Sequence, residues 1–191
     1  MKKIILTVAV AAAALSANAQ AYIGGELGVW HDPDADKTTF SIHPEVGYDL
    51  SEKWALGIDL GYNFGNTKKT AEVLGHEVAS VTTKTHDFTI NPYARWSFVK
   101  FGPAKLFLDM GFGIDVQKEK VGDTSSDANT AWRVGVQPGI AVNLSKHVDF
   151  VAHLGFLGYC DSNDGKNSAY GNGFGFKVSG NDLTFGIEYH F

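Results

Sequence analysis

The sequence predicts an all-β chain: eight antiparallel strands, joined up-and-down and closed into one barrel. Three observations carry that reading. Of its 191 residues 22 are Gly and 13% are aromatic, against 5 Pro and 19% charged residues. Abundant Gly and aromatics without long apolar runs suit many short strands. Period-two alternation of apolar and polar residues recurs along the chain. Short connections between the alternating segments take turns with long ones. The length suits a single domain. A formal net charge of −5 argues against a nucleic-acid partner, and one Cys excludes an internal disulfide framework.

The first element is an export signal. Lys2 and Lys3 precede the apolar run Ile4 to Leu15, and Ala17-Asn18-Ala19 offers the small-x-small pattern of signal peptidase cleavage. Cleavage is expected after Ala19, so that residues 1–19 are a secretory signal peptide and 20–191 the mature barrel domain. No Cys lies near that point, so a lipoprotein is not expected. The apolar run is too short to anchor the chain, and no later run approaches the roughly 20 apolar residues of a spanning helix.

Eight alternating segments follow, near 21–30, 39–50, 54–65, 86–98, 105–117, 130–144, 148–160 and 181–191. The third is clearest: Trp54, Leu56, Ile58, Leu60, Tyr62 and Phe64 share one face, and Ala55, Gly57, Asp59, Gly61, Asn63 and Gly65 the other. In the seventh, the same counting places Phe156 and Gly158 on the apolar face and Tyr159 opposite. No charge falls on any of the eight apolar faces. The opposite faces hold nine acids (Glu26, Glu45, Asp49, Asp59, Asp87, Asp109, Asp115, Asp149 and Glu188), with Arg95, Arg133, His43, His153, His190 and many Gly. A soluble barrel would turn its bulky apolar face inward. Gly and Asp cannot build a hydrophobic core, so here the apolar face must meet lipid and the polar face must line the lumen. Closure then follows, because an open sheet edge in hydrocarbon leaves backbone groups unpaired at several kcal/mol each. The expected fold is a closed antiparallel eight-stranded up-and-down transmembrane β-barrel.

The connections agree. Turns near 51–53, 102–104 and 145–147 are short, whereas 31–38, 66–85, 118–129 and 161–180 are long. Such asymmetry places the turns in the periplasm and the loops outside. An even strand number puts both termini on the periplasmic side. Pro44, Pro92 and Pro138 sit mid-strand on the lipid face at spacings of 48 and 46 residues. Proline deletes a ladder donor, so a recurring bulge or curvature point is expected at each.

On these residues the chain resembles the small eight-stranded outer-membrane barrels, the OmpA/OmpX-like porin-family barrels, over essentially all of 20–191. The most specific element is the alternating C-terminal strand Leu183, Phe185, Ile187, Tyr189 and Phe191. It resembles the assembly signal read by the barrel assembly machinery. The resemblance implies a bacterial outer-membrane location, contact with outer-membrane lipid and lipopolysaccharide, and handling by periplasmic chaperones and that machinery during biogenesis. Relatives with a periplasmic peptidoglycan-binding domain continue past the barrel; this chain is expected to lack one.

Several constellations invite chemistry. Turn centring sets Glu45 opposite Asp59, two inward carboxylates that could act as an acid/base pair. An eight-stranded lumen is just wide enough to be filled by side chains. The expectation is therefore a luminal ionic network of Glu26, Glu45, Asp59, Arg95, Asp109, Asp115, Arg133, Asp149 and His153, with Arg95 near Asp109. The inward Gly residues suggest pockets of water between these groups, and Tyr93, Phe107 and Tyr159 stand against an open pore. His43, His153 and His190 lack convergent ligand spacing, so no metal is expected. The acidic loops at Asp32, Asp34, Asp36 and at Asp161, Asn163, Asp164 lack the glutamate of a calcium loop. His86 is the one histidine near the outer rim, with no Ser beside it on the same face, and Cys160 has no basic neighbour in sequence. No catalytic residue and no cofactor is expected. Tyr48, Trp54, Trp96, Phe98 and Tyr189 form one aromatic belt, and Phe40, Phe64, Phe88 and Trp132 the other.

Three roles compete on this reading. One is a monomeric structural or surface-interaction protein presenting loops at 66–85 and 161–180. The second is a small low-conductance pore, and the third a lipid-modifying enzyme. No loop motif names an extracellular ligand.

Overall fold

A computed structural model describes residues 20–32, 36–73, 76–122, 124–163, 172–178 and 183–191. The expected signal peptide, with Ala17 and Ala19, lies outside the described residues. Eleven strand segments follow in order. They are β1 Ala21–Asp32, β2 Lys37–Asp49, β3 Trp54–Val73, β4 His76–Phe101, β5 Ala104–Val121, β6 Thr124–Ser125, β7 Asn129–Asn143, β8 Val148–Leu154, β9 Phe156–Ser162, β10 Gly173–Lys177 and β11 Leu183–His190.

These segments build eight staves. Six are single strands, β8 and β9 share the seventh, and β10 and β11 share the eighth. The two residues of β6 only fold back on the tip of β5. Every neighbouring pair is antiparallel, and the ring closes because β1 pairs with β2 on one side and β11 on the other. Tyr22 opposes His190 at that junction, so the two ends of the described chain meet. At the junction β1 pairs with β2 along its whole length and with β11 from Tyr22 to Glu26, the kind of closure a hydrocarbon surrounding demands.

The alternation sorts the side chains. Leu27, Phe40, Ile42, Leu56, Leu60, Ile90, Phe112 and Ile187 are exposed on the outside, whereas Tyr22, Arg95, Phe107, Asp149 and Glu188 are buried inside. A soluble protein would show the reverse. Trp54 stacks on Trp96 across β3 and β4 with ring centroids 6.1 Å apart. Phe40 opposes Phe64 nearer the other end of the wall.

Four expectations from the sequence are corrected. The stretch 66–85 is largely strand rather than loop: β3 and β4 stay paired up to Val73 and His76. With 20 and 26 residues, both exceed the roughly 9–11 that cross a membrane, so their hairpin stands clear of the wall. Part of 161–180 is strand too, since β10 pairs with β9.

The second correction concerns the seventh stave. Gly139 pairs with His153 but Val136 with Leu157, so the stave carries one residue more than β7 over this interval. The extra residue is a bulge at Gly155, whose φ of 69° is open to glycine and strained for other residues. Beyond it the faces exchange. Phe156 and Gly158 turn inward, with Phe156 7% exposed, while Leu157 and Tyr159 turn outward at 46% and 39%. Tyr159 packs against Trp132 on the outer wall instead of standing in the lumen.

Third, the prolines do not share a bulge. Pairing runs in one register from Ile42–Tyr62 to Glu45–Asp59 past Pro44, and from Ile90–Ile114 to Tyr93–Gly111 past Pro92. The ladder skips where the donor is missing and adds no residue. Only Pro138 faces a bulge, the one at Gly155 across β7 and the seventh stave.

The fourth concerns the inward glycines, several of which lie under aromatic rings rather than beside open space. Tyr22 is paired opposite Gly47, Tyr93 opposite Gly57 and Phe107 opposite Gly139. In each case a Cβ on the glycine would collide with the ring.

Candidate functional site

The barrel interior is built in layers, each following from which residues alternation turns inward. At the end where β1 begins and β11 ends, Lys105 Nζ lies 3.1 Å from Asp149 Oδ2 and Asn143 Nδ2 donates to Asp149 Oδ1 at 2.5 Å. His190 Nδ1 lies 3.2 Å from Asp49 Oδ2.

One layer further in, Arg95 on β4 spans the lumen. Its Nε and Nη2 donate to the two oxygens of Asp109 on neighbouring β5 at 2.8 and 2.9 Å, and its Nη1 donates to Glu188 Oε1 on β11. β4 is the fourth stave and β11 belongs to the eighth, so this guanidinium ties opposite walls together. It also lies 4.1 Å above the Phe107 ring. Beside it, the hydroxyls of Tyr22 and Tyr93 are 2.8 Å apart, and Tyr93 donates to Glu45 Oε2 at 2.8 Å. Arg95 is 6% exposed and Glu188 1%. Charge-assisted contacts of this kind are about twice as strong as neutral ones.

Above Arg95, His153 presents Nε2 to Asp109 Oδ2 and Nδ1 to Glu26 Oε1, both at 2.9 Å. Thr184 donates to the same Glu26 oxygen at 2.9 Å. His43 Nδ1 sits 3.3 Å from Asp59 Oδ2. Asp59 is paired opposite Glu45 in the register, but the two side chains bond elsewhere, to His43 and Tyr93. In the uppermost layer Arg133 Nη1 reaches both oxygens of Asp115, at 3.0 and 2.9 Å, and Thr89 donates to Asp115 Oδ1 at 2.6 Å. Arg133 thus meets Asp115 across β7 and β5.

A cavity of about 20 Å³ lies between Arg95, Lys105, Glu188 and His190, and one of about 10 Å³ between Tyr93, Asp109, Arg133 and Phe156. Each has room for about one water molecule. Arg95 borders the first and its partner Asp109 the second.

Three interior groups have ligand atoms within 4.8 Å of one another: Asp149, Glu188 and His190. Lys105 and Arg95 already engage both carboxylates, so a cation there would compete with two protein cations. Nothing in the arrangement singles out a nucleophile and base. On the outer wall His86 Nδ1 lies 2.8 Å from the Tyr62 hydroxyl, with no serine partner among the described residues. Cys160 is buried. Both acidic loops run partly outside the described residues.

Lys105, Tyr22, Thr89 and Asn143 join the interior contacts without standing out in the sequence. Parity was their available signal, since Lys105 alternates with Phe107 and Asp109, and Tyr22 with Gly24 and Glu26.

Comparison with known proteins bears on this wall and lumen. No curated protein matches the chain by sequence. Among solved structures, the N-terminal β-barrel domain of Pseudomonas aeruginosa OprF is similar at 13% identity and TM-score 0.44, over 90% of this chain and 98% of that one. Neisserial surface protein A is similar at 17% identity and TM-score 0.44, over 90% and 95% of the two chains. The model of the outer membrane protein beta-barrel domain matches residues 4–191. A closed eight-stave wall, apolar outside and charged within, matched over nearly its whole length, places the chain in the outer membrane protein beta-barrel domain family.

Proposed function

We propose that this outer-membrane barrel is a monomeric structural and surface-presenting protein whose lumen is filled by its own charged side chains. Both termini face the periplasm in this reading, and the long β3–β4 hairpin projects outside. The observation that carries it is the Arg95 bridge to Asp109 and Glu188, which joins opposite walls. A solute would have to break a buried ion pair to pass. The proposed role needs neither catalytic residue nor cofactor; it needs a stable wall, an assembly route and an exposed hairpin. Leu183, Phe185, Ile187, Tyr189 and Phe191 supply the strand read during assembly by the barrel machinery, to which periplasmic chaperones deliver the chain.

Single-channel recording on refolded protein tests this directly. No current, or one far below that of a wide porin, is expected from the unmodified protein. Replacing Arg95 and Arg133 together with Ala should open a lumen lined by acids, and any resulting current should favour cations. A large, steady conductance from the unmodified protein would sink the filled-lumen reading and promote the small pore in its place.

A further inference from the structure

Asp149 on β8 and Glu188 on β11 stand directly opposite each other in the ladder, and both are buried. Two like charges face to face on neighbouring strands repel. His190 follows Glu188 by two residues, so alternation puts its ring on the same inward face. Its Nε2 lies 3.6 Å from Asp149 Oδ2 and 3.6 Å from Glu188 Oε2. That is too long for a hydrogen bond, and this nitrogen is buried without a hydrogen-bond partner among the described residues. A buried polar atom left so calls for an explanation.

The other edge of the ring is fixed. Nδ1 lies 3.2 Å from Asp49 Oδ2 on β2, and Tyr22 packs against the ring with centroids 5.2 Å apart. A carboxylate on one ring nitrogen, with the second nitrogen aimed at further ligands, is how metal-binding histidines are oriented. The cavity of about 20 Å³ beside Glu188 and His190 has room for about one water as a further ligand.

We infer that Asp149 Oδ2, Glu188 Oε2 and His190 Nε2 form a site for one divalent transition-metal ion with the ligand preferences of zinc. One ligand atom from each of these residues lies within 4.8 Å of the others. With zinc–ligand bonds of about 2.1 Å, tetrahedral nitrogen and oxygen ligands stand roughly 3.4 Å apart. The 3.6 Å separations need little adjustment to meet that. Imidazole with carboxylate suits such a metal, whereas calcium asks for a shell of oxygens that this set does not offer. The two protein cations compete unequally. Arg95 engages Glu188 through Oε1 and leaves Oε2 to the site. Lys105 contacts Asp149 at Oδ2, the ligand atom itself, but its side chain is 28% exposed and can turn to water when a dication takes its place. Spacing along the chain hides the set, because Asp149 arrives through the pairing of β8 with β11. The ion joins β8 to β11 and, through the contact of His190 with Asp49, to β2. It thereby clamps both neighbours of β1, where the ring closes. The inference stands apart from the orientation and role proposed above.

The test is calorimetric titration of the refolded, untagged barrel in detergent with zinc chloride, after EDTA has stripped bound metal. One equivalent of zinc is expected to bind, and calcium chloride is expected to give no binding. His190→Gln should abolish binding. Asp49→Asn, which touches only Nδ1, should weaken it roughly 10–100-fold, as loss of a supporting carboxylate does. Lys105→Gln should tighten it, because the competing cation is gone. His86→Gln, at the far end of the outer wall, should bind normally. The heat-dependent gel shift of a folded barrel checks that each variant is intact. Saturating zinc should also raise the urea midpoint of the unmodified protein and leave that of His190→Gln unmoved. Absence of zinc binding by the folded unmodified protein, equal affinity for calcium, or undiminished binding by His190→Gln overturns the proposal. So does a Lys105→Gln barrel that binds zinc no more tightly.

Discussion

Arg95 shows what a single interior residue does here. Its guanidinium meets Asp109 and Glu188 in a space closed to solvent, and removing it leaves two buried carboxylates short of a cation. Breaking such a pair from one side costs about 3–5 kcal/mol. Arg95→Met is therefore expected to lower the urea midpoint of the refolded barrel sharply. Adding Asp109→Asn and Glu188→Gln to that variant should recover most of the loss. A midpoint unmoved by Arg95→Met would show that the bridge contributes little. Gly57 makes the complementary case, because the Tyr93 ring occupies the place of its missing side chain. Gly57→Val should cost about 1–3 kcal/mol by overpacking, and Tyr93→Ala in the same chain should relieve part of it. A Gly57→Val barrel as stable as the unmodified one would mean that the ring moves aside easily. Of these residues the sequence displays only the facing: a glycine and a tyrosine each inward on neighbouring strands. That the ring lies over the glycine is a matter of register between two strands.

At the scale of the element, the seventh stave is the instructive one. Val148 to Leu154 alternates cleanly, and simple counting carried through Gly155 assigns Phe156 to lipid and Tyr159 to the lumen. The structure exchanges them, because one extra residue at Gly155 shifts every later side chain to the other face. Nothing in Phe156-Leu157-Gly158-Tyr159 could have shown this, since bulky apolar residues occupy both parities. The choice is made by the neighbouring strands β7 and β10, which fix the pairing. Spin labels at 156, 157, 158 and 159 should report it. Collision with oxygen, which concentrates in lipid, is expected to be high at 157 and 159 and low at 156 and 158. The opposite pattern would restore the uninterrupted alternation. In β3 between Trp54 and Phe64, where the pairing keeps one register, labels at 58 and 60 should be lipid-exposed and those at 59 and 61 shielded.

At the scale of the whole molecule, the wall is one continuous apolar surface, and its cost of interruption depends on depth. Leu60 is exposed near mid-strand on the outside. Leu60→Arg is expected to destabilise the folded barrel by about 2–4 kcal/mol, and Leu60→Ala by much less. Equal urea midpoints for the two would contradict the lipid-facing assignment. Assembly belongs to this scale as well. Phe191→Ser should leave protein in the periplasm to be degraded, read by fractionation and immunoblotting; normal outer-membrane levels would remove the C-terminal strand from its proposed role.

The sequence by itself determined the wall: the number of staves, their alternation, and which face is apolar. Alternation is a property of one strand and can be counted without knowing its neighbours. Where the counting met a charge on one parity and an aliphatic on the other, as at Asp59 and Leu60, it needed no further information. Only the tertiary structure decided the rest. Arg95 and Glu188 are 93 residues apart in sequence and meet because closing the ring brings the fourth and eighth staves face to face across the lumen. Lys84 and Lys120 stand side by side because β4 and β5 pair in one register rather than another. The face of Phe156 depends on a bulge that its own stave does not announce. Contacts across a lumen or between strands are set by closure and register, which are properties of all eight staves together and of none taken alone.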